Sequence, residues 1–130
     1  MKKATPRYVD TLNIGVDIED VSRFETLNLA ADKTFLRNIF TKGELQYCFS
    51  QKNRGQALAG RFSAKESISK ALNAFNVFAI RFSEIEITND TRGRPKVTLS
   101  GKNLSSYDVK VSISHSKNMV LTTAIAVRKV

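Results

Sequence analysis

The chain has 130 residues, 42% of them hydrophobic, which suits one domain with a modest core and leaves too little for a second. A formal net charge of +9 points to a polyanionic partner: nucleic acid, an anionic membrane face, a phosphate-rich cofactor or an acidic protein. A single cysteine and a single histidine exclude internal disulfides and zinc fingers, so any bound metal is expected to be a hard ion held by carboxylates.

No apolar run approaches the roughly 20 residues that span a bilayer, and Met1-Lys2-Lys3-Ala4 leads into Thr5-Pro6-Arg7 rather than an apolar signal region. A cytoplasmic protein is therefore expected, with residues 1–130 forming one domain and 1–8 a loose tail. From Asn13 to Glu19, Ile14, Val16 and Ile18 point one way while Asn13, Gly15, Asp17 and Glu19 point the other, the pattern of a half-buried strand. Asp20 or Ser22 is the expected cap of a short helix carrying Val21 and Phe24. Thr41-Lys42-Gly43-Glu44 reads as a capping box opening a helix with Leu45, Cys48 and Phe49 on one side, where Cys48 is expected to be buried and inert.

The segment from about Arg54 to Phe75 places Ala57, Ala64, Ile68, Ala71 and Phe75 near helical spacing and predicts the central helix. Period two then returns at Phe82, Ile85 and Ile87, and again at Val97 and Leu99, across a turn at Asn89 to Pro95. Val109, Val111 and Ile113 form another strand, and Met119 to Val127 the last. The fold class is α+β: an antiparallel sheet packed against one long central helix plus shorter helices.

Three groups of residues carry candidate chemistry. Asp17 and Glu19 lie on one strand face, about 7 Å apart by strand rise, where they serve one divalent ion or are ordinary surface acids. Glu66, Ser69, Lys70 and Asn73 share a helical stripe, the mixture that a metal-bound diphosphate needs; the bland alternatives for Glu66 are a surface pair with Lys70 or a capping box from Ser63. His115 follows the apolar parity of its strand, which reads as a buried histidine satisfied by hydrogen bonds, but it also opens a turn rich in Ser and Lys.

Ile14-Gly15-Val16-Asp17-Ile18 with Arg23, then Leu58-Ala59-Gly60-Arg61-Phe62-Ser63-Ala64-Lys65-Glu66 with Ser69-Lys70-Ala71-Leu72, then Val111-Ser112-Ile113-Ser114-His115-Ser116 together resemble the holo-acyl-carrier-protein synthases, the small trimeric type of the 4′-phosphopantetheinyl transferase superfamily. The resemblance spans nearly the whole chain and implies transfer of 4′-phosphopantetheine from coenzyme A to a serine of apo-acyl carrier protein. It implies a magnesium (Mg2+) site and catalytic centre at Asp17 and Glu66, with Glu19 a third candidate ligand. Lys65, Ser69 and Lys70 would meet coenzyme phosphates, Arg61, Pro95 and His115 would line the nucleotide end, and Lys52 and Arg54 are phosphate candidates on charge and place. Arg23 would dock the carrier protein, with Lys33 and Arg37 beside it, and the chain would act as a homotrimer with sites between protomers. One departure stands out: Asn73-Ala74-Phe75-Asn76 replaces the glycine-rich turn usual after Lys-Ala-Leu, with Asn73 or Asn76 able to take the left-handed conformation of a glycine.

Two other readings remain open at this level. The charge permits a small basic nucleic-acid-binding protein, although the aromatics are mostly phenylalanines at core-like positions and no nucleic-acid-binding motif appears. The altered turn permits a family member that kept the scaffold and lost activity.

Overall fold

The computed structural model, which describes residues 11–129, begins with strand β1 (Leu12–Asp20). The tail expected over residues 1–8 lies outside the described residues. Helices α1 (Ser22–Glu25), α2 (Lys33–Ile39), α3 (Lys42–Ser50) and α4 (Arg54–Asn73) follow. A 3-10 turn (Phe82–Glu84) leads into β2 (Ile85–Asn89) and β3 (Pro95–Leu99), and a second (Lys102–Leu104) into β4 (Tyr107–His115) and β5 (Met119–Arg128).

The class is α+β, and the antiparallel strands divide into two sheets. One has the order β1-β5-β4; the other is the β2-β3 hairpin. In the larger sheet β5 is central, pairing Asp17 with Thr122 on one side and Ile113 with Thr122 on the other. In the hairpin, Asp90 Oδ1 accepts from the Arg92 and Arg94 amides, and Gly93 takes φ 78°, which closes the predicted turn.

Helix α4 lies across the larger sheet. Ala64 and Ala71 on α4 and Ala124 and Ala126 on β5 are fully buried, and their small side chains let helix and sheet approach closely. Ile68, Leu72, Ile85, Ile87 and Leu104 fill the rest of this core, each contributing about 1.5–3 kcal/mol by burial. A second core joins α1, α2 and α3 to α4 through Phe24, Leu36, Phe40, Leu58 and Phe62. The Phe24 and Phe62 rings stand 5.2 Å apart, and Phe62 and Phe82 5.8 Å. Cys48 is buried here, and burial pushes its thiol up to about 11, so it is inert at neutral pH.

Local details both confirm and correct the sequence reading. The Thr41–Glu44 capping box is present, with Thr41 Oγ1 accepting from the Glu44 amide at 3.2 Å and Glu44 Oε1 from the Thr41 amide at 2.8 Å. Neither Asp20 nor Ser22 caps α1; Val21 stands at its N-cap without a side-chain bond. Ser63 is no cap either, since it lies inside α4 and meets Thr122 Oγ1 at 2.8 Å. The altered turn after α4 uses two left-handed residues, Asn76 at φ 63° and Ala79 at φ 59°. Asn76 thus supplies the conformation of a missing glycine, while Asn73 ends the helix.

Candidate active site

Gly15 sets the geometry. A Cβ there would overlap the Ser67 carbonyl and lie 2.9 Å from the Ala71 amide nitrogen, so β1 touches α4 at a point where no side chain fits. The contact turns the Gly15, Asp17 and Glu19 face toward α4. It leaves Ile14, Val16 and Ile18 on the outside, 64%, 54% and 57% exposed.

Asp17, two residues beyond Gly15, meets the middle of α4. Lys70 Nζ donates to the Val16 carbonyl at 2.9 Å and to Asp17 Oδ1 at 3.3 Å. The Asp17 side chain is only 10% exposed, and its Oδ2 is buried with no hydrogen-bond partner. Ser69 Oγ, on the same helical stripe as Glu66, is likewise buried and unpartnered. Burial, and then the charge of Asp17, hold the Glu66 carboxyl above its ordinary value against Lys70 and Arg23. Glu19 is raised by burial first and then by contact with Asp17, and is pulled back by Arg23, whose Nη1 donates to Glu19 Oε1 at 2.9 Å. The Arg23 guanidinium also lies over the Phe62 ring, 5.1 Å from its centroid.

Folding therefore brings Asp17, Glu19 and Glu66 into one electrostatic neighbourhood. Among the described residues no group of three or more His, Cys, Asp or Glu side chains is disposed to hold a metal ion, so the three acids do not form a closed cage. Glu19 is already held by Arg23, which weakens it as a third ligand. Asp17 and Glu66, with an orphaned buried oxygen between helix and strand, fit a hard cation that takes two carboxylates from the protein and its remaining oxygens from substrate and water.

Lys65 is the clear correction. It is fully buried, and its Nζ donates to Glu44 Oε1 at 2.6 Å, the Ile39 carbonyl at 2.7 Å and the Phe82 carbonyl at 2.9 Å. All three donors of the ammonium are consumed inside the protein, so it does not reach a coenzyme phosphate. Helical spacing sets Lys65 one position from Glu66 but turned toward α3, and Glu44, whose second task beyond the capping box is invisible in sequence, waits there.

Lys52, Arg54 and His115 gather toward the start of α4. Lys52 and Arg54 line a cavity of about 450 Å³ with Val21, Glu25, Gln56 and Lys117. His115 is exposed rather than buried, and its Nδ1 lies 3.0 Å from Gln56 Nε2. It is the last residue of the edge strand β4, while its partner Val120 on central β5 is fully buried, so the cover over the sheet stops short of the edge. Arg61 is 6% exposed, with Cζ 4.2 Å above the Tyr47 ring and a buried Nε that has no partner. Tyr47 Oη accepts from Asn89 Nδ2 at 2.9 Å, and Asn89 pairs with Pro95 across the hairpin. Tyr47, Gln56 and Lys117 had no signal in the sequence beyond their type. Lys33 and Arg37 line a separate open groove of about 1300 Å³ floored by Leu36, Phe40 and Leu45.

The basic cavity and the acids lie about 18 Å apart along α4, counted from Arg54 to Glu66 at helical rise, with α1 between them. Glu25 of α1 faces the cavity and Arg23 faces the acids. The family model of the 4′-phosphopantetheinyl transferase superfamily matches residues 13–124. The chain belongs to this superfamily. Every candidate residue from Asp17 to His115 falls within the matched span.

Curated relatives in the superfamily include the holo-[acyl-carrier-protein] synthase of Chlorobaculum parvum, 36% identical over 114 residues that cover 88% of this chain and 97% of the relative. That of Caldicellulosiruptor saccharolyticus is 40% identical over 120 residues, covering 88% and 94%. Among solved structures, a holo-(acyl-carrier-protein) synthase from Bacillus anthracis in complex with CoA (3′,5′-ADP) matches with a TM-score of 0.71 and 31% identity, covering 90% of this chain and 96% of that one. The synthase from Neisseria meningitidis matches with a TM-score of 0.73 and 30% identity, covering 88% and 96%.

Proposed function

We propose that the protein is a magnesium-dependent holo-acyl-carrier-protein synthase, which moves the 4′-phosphopantetheine group of coenzyme A to a serine of apo-acyl carrier protein. The supporting observation is the buried, unpartnered Asp17 Oδ2 in the shared field of Glu66 and Lys70. In the reaction the serine Oγ forms a bond to the phosphorus that carries pantetheine, the bridging P–O bond of the diphosphate breaks, and adenosine 3′,5′-bisphosphate leaves. The serine proton goes to Glu66, the carboxylate of α4 beside Ser69 and Lys70. Asp17 and Glu66 would hold the magnesium, which when bound offsets charge on the diphosphate. Ser69 and Lys70 orient the diphosphate, and Arg61, Pro95, His115, Lys52 and Arg54 take the nucleotide end, with Lys65 supporting from within. Arg23 receives the acidic carrier beside the acids. The reaction belongs to the cytoplasm and to fatty acid biosynthesis; among the described residues no helix is long and apolar enough to cross a membrane.

The protomer would assemble as a trimer through the outer face of the larger sheet. On that face Ile14 pairs with Ile125 and Ile18 with Leu121 across neighbouring strands, and all four side chains are exposed, as is Val16. A contiguous apolar patch of this kind is what an assembly interface buries.

Incubation with coenzyme A, Mg2+ and apo-acyl carrier protein should give a phosphopantetheine adduct on the carrier by intact-mass spectrometry. Asp17→Ala and Glu66→Ala should each lower the rate by roughly 10²–10³-fold or more while keeping the fold. Absence of the adduct with the unaltered protein would mark a member that kept the scaffold alone, and near-normal turnover in either variant would remove the metal assignment.

A further inference from the structure

We propose that Lys70 is a built-in counter-ion, which occupies the Asp17 carboxylate in the free protein and transfers to the coenzyme diphosphate when the divalent cation arrives. Cation and coenzyme would then bind co-operatively. The inference rests on the cation site proposed above.

Two lysines flank Glu66 along α4, and they differ in freedom. Lys65 is sealed in the core with three oxygen partners. Lys70 makes two contacts, to the Val16 carbonyl and Asp17 Oδ1, and its side chain is 53% exposed against 10% for Asp17. Its flexible stem can leave Asp17 at the cost of two surface contacts and no core position. The ammonium lies on Asp17 Oδ1 while Oδ2 stays open, so a cation taken on Oδ2 would share one carboxylate with it, and the two positive charges repel.

Charge gives the direction of the coupling. Asp17, Glu19 and Glu66 face Lys70 and Arg23, which leaves a single negative charge in excess when all are ionised. A dication entering alone overcharges the cluster and must dislodge Lys70 into water. A diphosphate entering with it restores the balance and offers Lys70 a new acceptor. By linkage, each ligand then strengthens the other by the same factor.

Titration of the full protein with Mn2+, followed by the electron paramagnetic resonance of free Mn2+, tests this with and without coenzyme A. Lys70→Gln should bind Mn2+ alone roughly three- to tenfold more tightly than the unaltered protein. Coenzyme A should improve Mn2+ affinity less in this variant, and Lys102→Gln, an equal loss of charge elsewhere, should behave as the unaltered protein. Unchanged or weaker Mn2+ binding by Lys70→Gln, where the unaltered protein binds Mn2+ with coenzyme A, overturns the role of Lys70 alone. No Mn2+ binding by the unaltered protein even with coenzyme A overturns the cation site and this inference with it.

Discussion

At Asp17 and Glu66 two carboxylates are held nearer to each other, and drier, than their charges favour. Glu66 carries the measurable consequence. Its pKa is raised above the ordinary 4.5, mainly by burial and then by Asp17, so the charged form is penalised in the folded protein. The folded state therefore binds the proton more tightly than the unfolded chain, and stability falls as pH rises through the folded value. In metal-free buffer, Glu66→Gln should raise Tm at pH 7, and the gain should vanish as pH falls below 4.5, where both states are protonated. A gain that persists unchanged at low pH would assign the effect to packing. Ala79 offers a second test at this scale. Its left-handed backbone costs about 1–2 kcal/mol, and glycine returns part of that to unfolded-chain entropy, so Ala79→Gly should stabilise by about 0.5–1 kcal/mol in urea unfolding.

Helix α4 serves different elements on each of its faces. Ser67 and Ala71 meet β1, Ser63 meets β5, and Lys65 ties α4 to α3, to the first 3-10 turn and, through Glu44, to the Ile87 amide of β2 at 2.8 Å. Burial pushes the Lys65 ammonium below its ordinary value, and Glu44 opposes this. Such a pair is weak evidence of net stability, yet removal of one partner strands the other charge in the core. Lys65→Met should cost about 3–5 kcal/mol in chemical unfolding, and Lys65→Met with Glu44→Leu should recover a large part. A single variant as stable as the unaltered protein would mean that Glu44 finds water or a proton at little cost.

For the whole molecule, the outer face of the β1-β5-β4 sheet matters most, since it exposes Ile14, Val16, Ile18, Leu121 and Ile125 together. Val16→Lys sets a charge in the middle of this patch and should convert a trimer to monomers in sedimentation velocity, with loss of transfer activity. An unaltered protein that sediments as a monomer at micromolar concentration would dismiss the trimer. The net charge of +9 acts at the same scale, since a basic surface attracts an acidic protein or a phosphate-rich coenzyme.

Local chemistry was written plainly in the chain. Alternation gave the strands, the Thr41–Glu44 spacing gave a cap, apolar periodicity gave α4, and the motifs around Asp17, Glu66 and His115 gave the family. Those features depend on neighbours a few residues apart, or on motif order along the chain. Tertiary structure alone decided which face of β1 is covered, that Lys65 spends its charge on Glu44, and that Lys70 rests on Asp17. Periodicity assigns residues to a common face but says nothing of what packs there. The backbone contact at Gly15 and the crossing of α4 settle that, through atoms far apart in sequence.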